Sequence, residues 1–105
     1  MIDLDFDFTA ELWEWHAQGD TRGGSWHFVT LPKDISEDIK TFTRHNKTGF
    51  GSVRVKVTVG ETAWNTSLFP SKERSAYLLP IKEAVRTAEN LGKGKMVKAS
   101  ISVLV

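Results

Sequence analysis

The chain has 105 residues and no cysteine, which makes it one domain long and excludes disulfides, thiolate metal sites and a cysteine nucleophile. Fourteen Lys and Arg against thirteen Asp and Glu leave a net charge of +1, without the basic excess of a general nucleic-acid binder. No apolar run approaches a membrane span, and the opening MIDLDFDF is acidic where a signal peptide is basic, so the expectation is a single cytoplasmic domain, residues 1–105.

Ile2, Leu4, Phe6, Phe8, Ala10 and Leu12 alternate strictly with Asp3, Asp5, Asp7, Thr9 and Glu11, which predicts a long strand with an acidic outer face. At Trp13 and Trp15 the apolar residues move to odd positions, the mark of a bulge or of a strand end covered on both faces, with the tryptophans sealing a barrel end or, alternatively, forming a partly exposed ligand platform. A turn-rich segment, Gln18 to Gly24, leads to a second strand, Ser25 to Leu31, with Trp26 and Phe28 on one face and His27, Val29 and Leu31 on the other. Pro32 ends it. Asp34, with Glu37 three residues on, then predicts a capped helix burying Ile35, Ile39 and Phe42.

After the polar loop Arg44 to Gly49, Val53, Val55, Val57 and Val59 alternate with Arg54, Lys56 and Thr58. If this basic-faced strand pairs with the acidic first one, cross-strand ion pairs set the register. Gly60-Glu61 reads as a tight turn into a fourth strand, Thr62 to Phe69, followed by a charged loop, Pro70 to Ser75, and a short strand, Ala76 to Leu79. Pro80 suits the first position of a helix burying Ile81, Ala84, Val85, Ala88 and Leu91, with Gly92 as its stop and Gly94 in the following turn. Val97, Ala99, Ile101, Val103 and Val105 alternate in a final strand. The elements amount to a mainly β domain with two short helices.

Four stretches carry a family resemblance: Ser25 to Pro32 (SWHFVTLP), Gly49 to Val53 (GFGSV), Trp64 to Pro70 (WNTSLFP), and Tyr77 to Lys82 (YLLPIK) with Ala84-Val85-Arg86. Their order resembles the small bacterial DUF1905 domain over almost the whole chain. The resemblance implies a small β-barrel, closed or partly open, of about six strands with two helices, and it supplies no activity. Leu79 to Val97 is more weakly similar to the swapped-hairpin barrels of AbrB-type regulators and MazE-type antitoxins, although Lys95 stands after Gly94 where those barrels carry aspartate. Fold alone does not confer their DNA-binding role.

No familiar catalytic pattern emerges. His16, His27 and His45 stand far apart in sequence and outside any metal-binding spacing, so neither a metal nor another cofactor is expected. Gly92 to Lys95, GKGK, follows a helix instead of preceding one and so lacks the dipole of a phosphate site. Lys82 and Arg86 lie one turn apart on one helix side and are suited to a carboxylate or phosphate, with Trp26, Phe50, Trp64 and Tyr77 as apolar walls and Thr66 and Ser67 as orienting groups. Alternatively Arg86 ties the helix to strand carbonyls or to a carboxylate such as Glu11 or Glu14, and Lys82 is simply solvated. The leading expectation is a noncatalytic binding module for a small anionic or aromatic ligand or a peptide. A nucleic-acid role would rest on Arg44, His45, Lys47, Arg54, Lys56, Lys93, Lys95 and Lys98, and an enzyme would need a concave pocket holding a histidine or carboxylate of perturbed pKa.

Overall fold

A computed structural model describes residues 4–16, 25–44 and 51–104. Its elements in order are β1 (Asp5–Glu11), β2 (Trp13–His16), β3 (Ser25–Thr30), α1 (Lys33–Thr43), β4 (Val53–Val59), β5 (Thr62–Ser71), β6 (Ala76–Pro80), α2 (Glu83–Ala88) and β7 (Met96–Val103). The strands form one antiparallel sheet in the order β1-β7-β4-β5-β6-β3-β2, curled into a half-barrel. Among the described residues no helix is long and apolar enough to cross a membrane.

There are seven strands, one more than expected, because the first long strand breaks at Leu12. Leu12 donates its N–H to Lys95 O (2.8 Å) and accepts from Gly94 N (2.9 Å), which draws the chain toward β7 before it turns to β3. One short stretch thus supplies both ends of the sheet, β1 against β7 and β2 against β3. The alternation does not slip. Phe8 and Leu12 are buried, Glu14 opposes His27, and Trp13 and Trp15 oppose Phe28 and Trp26. The tryptophans therefore do not seal a barrel end; Trp15 is 48% exposed.

The core is built by the period-two strands. Val53, Val55, Val57 and Val59 of β4 and Val97, Ala99, Ile101 and Val103 of β7 are all buried, joined by Leu68, Leu79, Ile81 and Val85. Each large aliphatic side chain so placed contributes about 1.5–3 kcal/mol of burial. The cross-strand ion pairs expected between β1 and β4 do not form by direct pairing, because β7 lies between them and sets Ser102 between Asp5 and Lys56.

The helices depart from expectation at their ends. In α1 the N-cap is Pro32, without a side-chain cap, and Asp34 sits in the first turn. Ser36, Ile39 and Thr43 form its buried stripe while Phe42 is 44% exposed. The two buried hydroxyls are satisfied: Thr43 Oγ1 donates to Ile39 O (2.6 Å), and Ser36 Oγ accepts from Tyr77 N (3.1 Å), which ties α1 to β6. Pro80 does not begin the second helix. It ends β6 opposite Phe28, where its missing N–H costs nothing, and Ile81 N then donates to His27 O (2.8 Å).

Helix α2 is only Glu83–Ala88, with Lys82 as N-cap, and it buries Val85 while Ala84 and Ala88 are exposed. It stops at Asn90, not Gly92. Asn90 takes φ 53°, Leu91 N donates to Arg86 O (2.8 Å) and Asn90 N to Thr87 O (3.4 Å), the paired bonds of a Schellman ending. The expected loop from Pro70 is shorter than predicted, because β5 continues through Pro70 and Ser71 to pair with β6. At the β4–β5 turn, Gly60 takes φ 59° with the Glu89 carboxylate directly above it.

Candidate functional site

The site arises where the sheet wall parts. Residues Val53 to Val59 of β4 pair with Thr62 to Leu68 of β5, but β6 joins the far edge of β5 only from Phe69 to Ser71. On the other side β6 pairs with β3 only from Phe28 to Thr30. The segment through α2 bridges the resulting gap: Ile81 N is bonded to His27 O of β3, and Glu89 Oε2 accepts from Thr62 Oγ1 of β5 (2.7 Å). Between these anchors lies a cleft of about 530 Å³, lined chiefly by Trp26 and His27 of β3, Trp64 to Thr66 of β5, and Lys82 and Arg86. That volume is ordinary for a small-ligand pocket, roughly 300–1,000 Å³.

The structure thus brings Trp26, Trp64, Thr66, Lys82 and Arg86 together. Two other residues expected with them stand elsewhere. Ser67 Oγ accepts from Arg54 Nη1 (3.2 Å) and does not line the cleft. Tyr77 is buried and lines a separate cavity of about 480 Å³ between α1 and the β5–β6 hairpin, beside Ser36 and Lys40. Its displacement follows from the Ser36 bond, which draws this part of β6 to α1. Phe50 lies outside the described residues.

Arg86 is partly buried and holds its own segment, donating from Nε to Ile81 O (3.2 Å) while Nη1 stands 3.5 Å from His27 Nε2. A guanidinium only donates, so where this long contact is a hydrogen bond Nε2 accepts it and the proton of neutral His27 sits on Nδ1. That nitrogen is buried and without a partner among the described residues. His27 titrates below its ordinary value of 6.5, chiefly because burial disfavours its charged form; the Arg86 charge adds to this, Glu14 opposes it, and His16 adds a little. Glu14 Oε1 is 3.9 Å from His27 Nε2 and 3.1 Å from His16 Nε2. His27, Asn65, Phe69, Pro80, Ile81 and Glu83 complete the lining and were not expected there. The available signal for His27 was a polar residue on the face it shares with buried Val29 and Leu31.

A different surface lies on the outer face of β2 and β3. Arg74 sits 3.8 Å from the centroid of Trp13, whose ring is 5.2 Å from Phe28, and Phe28 stacks at 6.2 Å and 9° with Trp26. Trp13 Nε1 donates to Thr30 Oγ1 (2.9 Å). The row ends at the cleft, where Trp26 is 55% exposed.

Four of the residues considered for nucleic acid have other neighbours among the described residues. Arg54, Lys56 and Lys98 share their outer face with Asp5, Asp7 and Glu11, and Lys95 Nζ is bonded to Asn90 O (3.0 Å). His45 and Lys47 lie outside the described residues. Among the described residues, no group of three or more His, Asp or Glu side chains is placed to hold a metal ion.

No curated protein matches the chain. A family model described as a domain of unknown function, DUF1905, matches residues 8–101, nearly the whole chain and every element that builds the cleft. The chain therefore belongs to the DUF1905 family.

Proposed function

We propose that the protein is a noncatalytic binding module, which takes an anionic ligand bearing an aromatic ring, or a peptide, in the cleft between β3, β5 and α2. The observation that carries this reading is the convergence of two cations, Lys82 and Arg86, with two indole rings, Trp26 and Trp64, and the Thr66 hydroxyl around one opening. Arg86 has five N–H groups, of which the described residues engage one firmly and one at long range, so donors are left for an oxyanion. The neighbouring indoles supply the stacking surface for the ring.

Binding is favoured over acid–base catalysis because of the state of His27. Its Nδ1 is buried and its Nε2 faces the Arg86 guanidinium, which disfavours the protonated ring a general acid needs.

Benzoate, phenyl phosphate and uncharged benzamide, screened by ligand-observed NMR with tryptophan fluorescence as a second readout, test the reading. Both anions are expected to bind and benzamide to bind more weakly, with Arg86→Gln and Trp64→Ala each abolishing the signal. Absence of binding by both anions refutes the aryl-anion form of the reading, and binding undiminished in both variants refutes the cleft as the site.

A further inference from the structure

The cleft has a backbone wall as well as side chains. Thr62 to Leu68 of β5 pair with β4 along one edge, and among the described residues no strand pairs with the other. In an antiparallel strand alternate residues turn their N–H and C=O groups outward, so this edge is a row of backbone donors and acceptors, and at Trp64, Asn65 and Thr66 it borders the cleft. Across the opening, β3 uses Phe28 to Thr30 on β6 and His27 O on Ile81, while Trp26 has no strand partner on that side among the described residues. The bridge from Ile81 to Glu89 is anchored at both ends, and among the described residues no backbone hydrogen bond joins it to residues 62–68.

We infer that an extended peptide with a free C-terminal carboxylate enters this cleft and adds as a strand to the open edge of β5. This rests on the binding reading above and names its ligand. The strand edge supplies register through main-chain hydrogen bonds, and Trp26 and Trp64 flank the peptide's side chains. The charge balance selects one terminal carboxylate: Lys82 and Arg86 attract it, while Glu83 on the same lining opposes a second negative charge. A small aryl anion would satisfy the cations and the rings but leave the β5 edge bare.

The test uses the full chain, immobilised, with a random heptapeptide library displayed with free C-termini and the same library as C-terminal amides. Benzoate serves as the small-ligand control. The free-acid library is expected to yield enriched peptides whose amide forms bind about tenfold more weakly, as loss of a charge-assisted hydrogen bond implies. Arg86→Gln and Lys82→Gln each weaken the enriched peptide. Lys82 is exposed, so its variant keeps the test valid should the Arg86 variant fold poorly. Methylation of alternate peptide nitrogens is expected to remove binding in one register, and amide resonances of residues 64–66 shift on titration.

Benzoate binding without enrichment of any peptide overturns the peptide inference and leaves the binding reading standing. No binding of either overturns both. Equal enrichment of acids and amides, or indifference to backbone methylation, also overturns the inference.

Discussion

The two halves of the sheet follow opposite rules. In β1, β7 and β4 the inward positions are apolar and the outward ones mostly polar, as in the unbroken alternation of β4 from Val53 to Val59. In β2 and β3 the outward positions carry Trp13, Trp15, Trp26 and Phe28, while Glu14 and His27 stand on the inward side near Arg86. The first half uses its pattern to make a core. The second departs from that pattern beside a cleft, and such local departures tend to mark function because the fold does not need them.

Substitutions should separate the halves. Ile101→Ala, in the regular half, is expected to cost about 2–5 kcal/mol in urea unfolding, since it empties a fully buried site. The folded fraction should still bind at the cleft. A cost below about 1 kcal/mol would mean that this half is not the core it is described as.

Gly60→Ala should cost about 1–2 kcal/mol, because a left-handed φ penalises any Cβ. The new methyl also points at the Glu89 carboxylate, so the Thr62 bond that anchors α2 should loosen and binding should fall. A stability loss with unchanged affinity would break the link between this turn and the cleft.

Acidification probes the other half. Folding lowers the His27 pKa beneath 6.5, so between the folded and unfolded values the unfolded chain binds more protons. The stability this confers is complete above about pH 6.5 and declines as pH falls through that value toward the folded pKa, below which it is gone. His27→Gln should flatten the stability profile in that window relative to the parent chain. An unaltered slope would place His27 in an environment no different from water.

The smallest effect on stability belongs to Trp26→Ala. Its side chain is mostly exposed, so the change should stay within about 0.5 kcal/mol while ligand binding is lost. A large destabilisation would turn Trp26 from a binding residue into a packing one.

How far these features were legible in the sequence depended on the physics at each place. β4 and β7 could be read because β-branched residues at period two have few alternatives to a half-buried strand. The break at Leu12 was signalled by the move of the apolar residues to odd positions at Trp13, but its cause, a pair of backbone bonds to residues 94 and 95, was not. Pro80 was ambiguous because a missing N–H suits a strand end and a helix start equally. Asn90 took the left-handed position first, so Gly92 was not needed there.

In the site, helical spacing placed Lys82 and Arg86 on one side even though Lys82 is only the cap of a short helix. Tyr77 and Ser67 went astray because Ser36 and Arg54, which bond to Tyr77's backbone and Ser67's hydroxyl, are distant in sequence. The open edge of β5 was invisible for the same reason: an unpaired edge is a property of the neighbours a strand lacks.

The four tryptophans give the most direct measurement of where the molecule binds. Trp64 lines the cleft, Trp26 stands at its rim, Trp13 lies beneath Arg74, and Trp15 faces outward beside Trp26. Indole 15N–1H resonances, assigned by single Trp→Phe variants, should be followed while an enriched free-acid peptide or benzoate is titrated in. The cleft account predicts that the Trp64 and Trp26 signals move together along one saturating curve while Trp13 stays in place. Movement of Trp13 and Trp15 with Trp64 unmoved would put the ligand on the outer aromatic face and contradict the account.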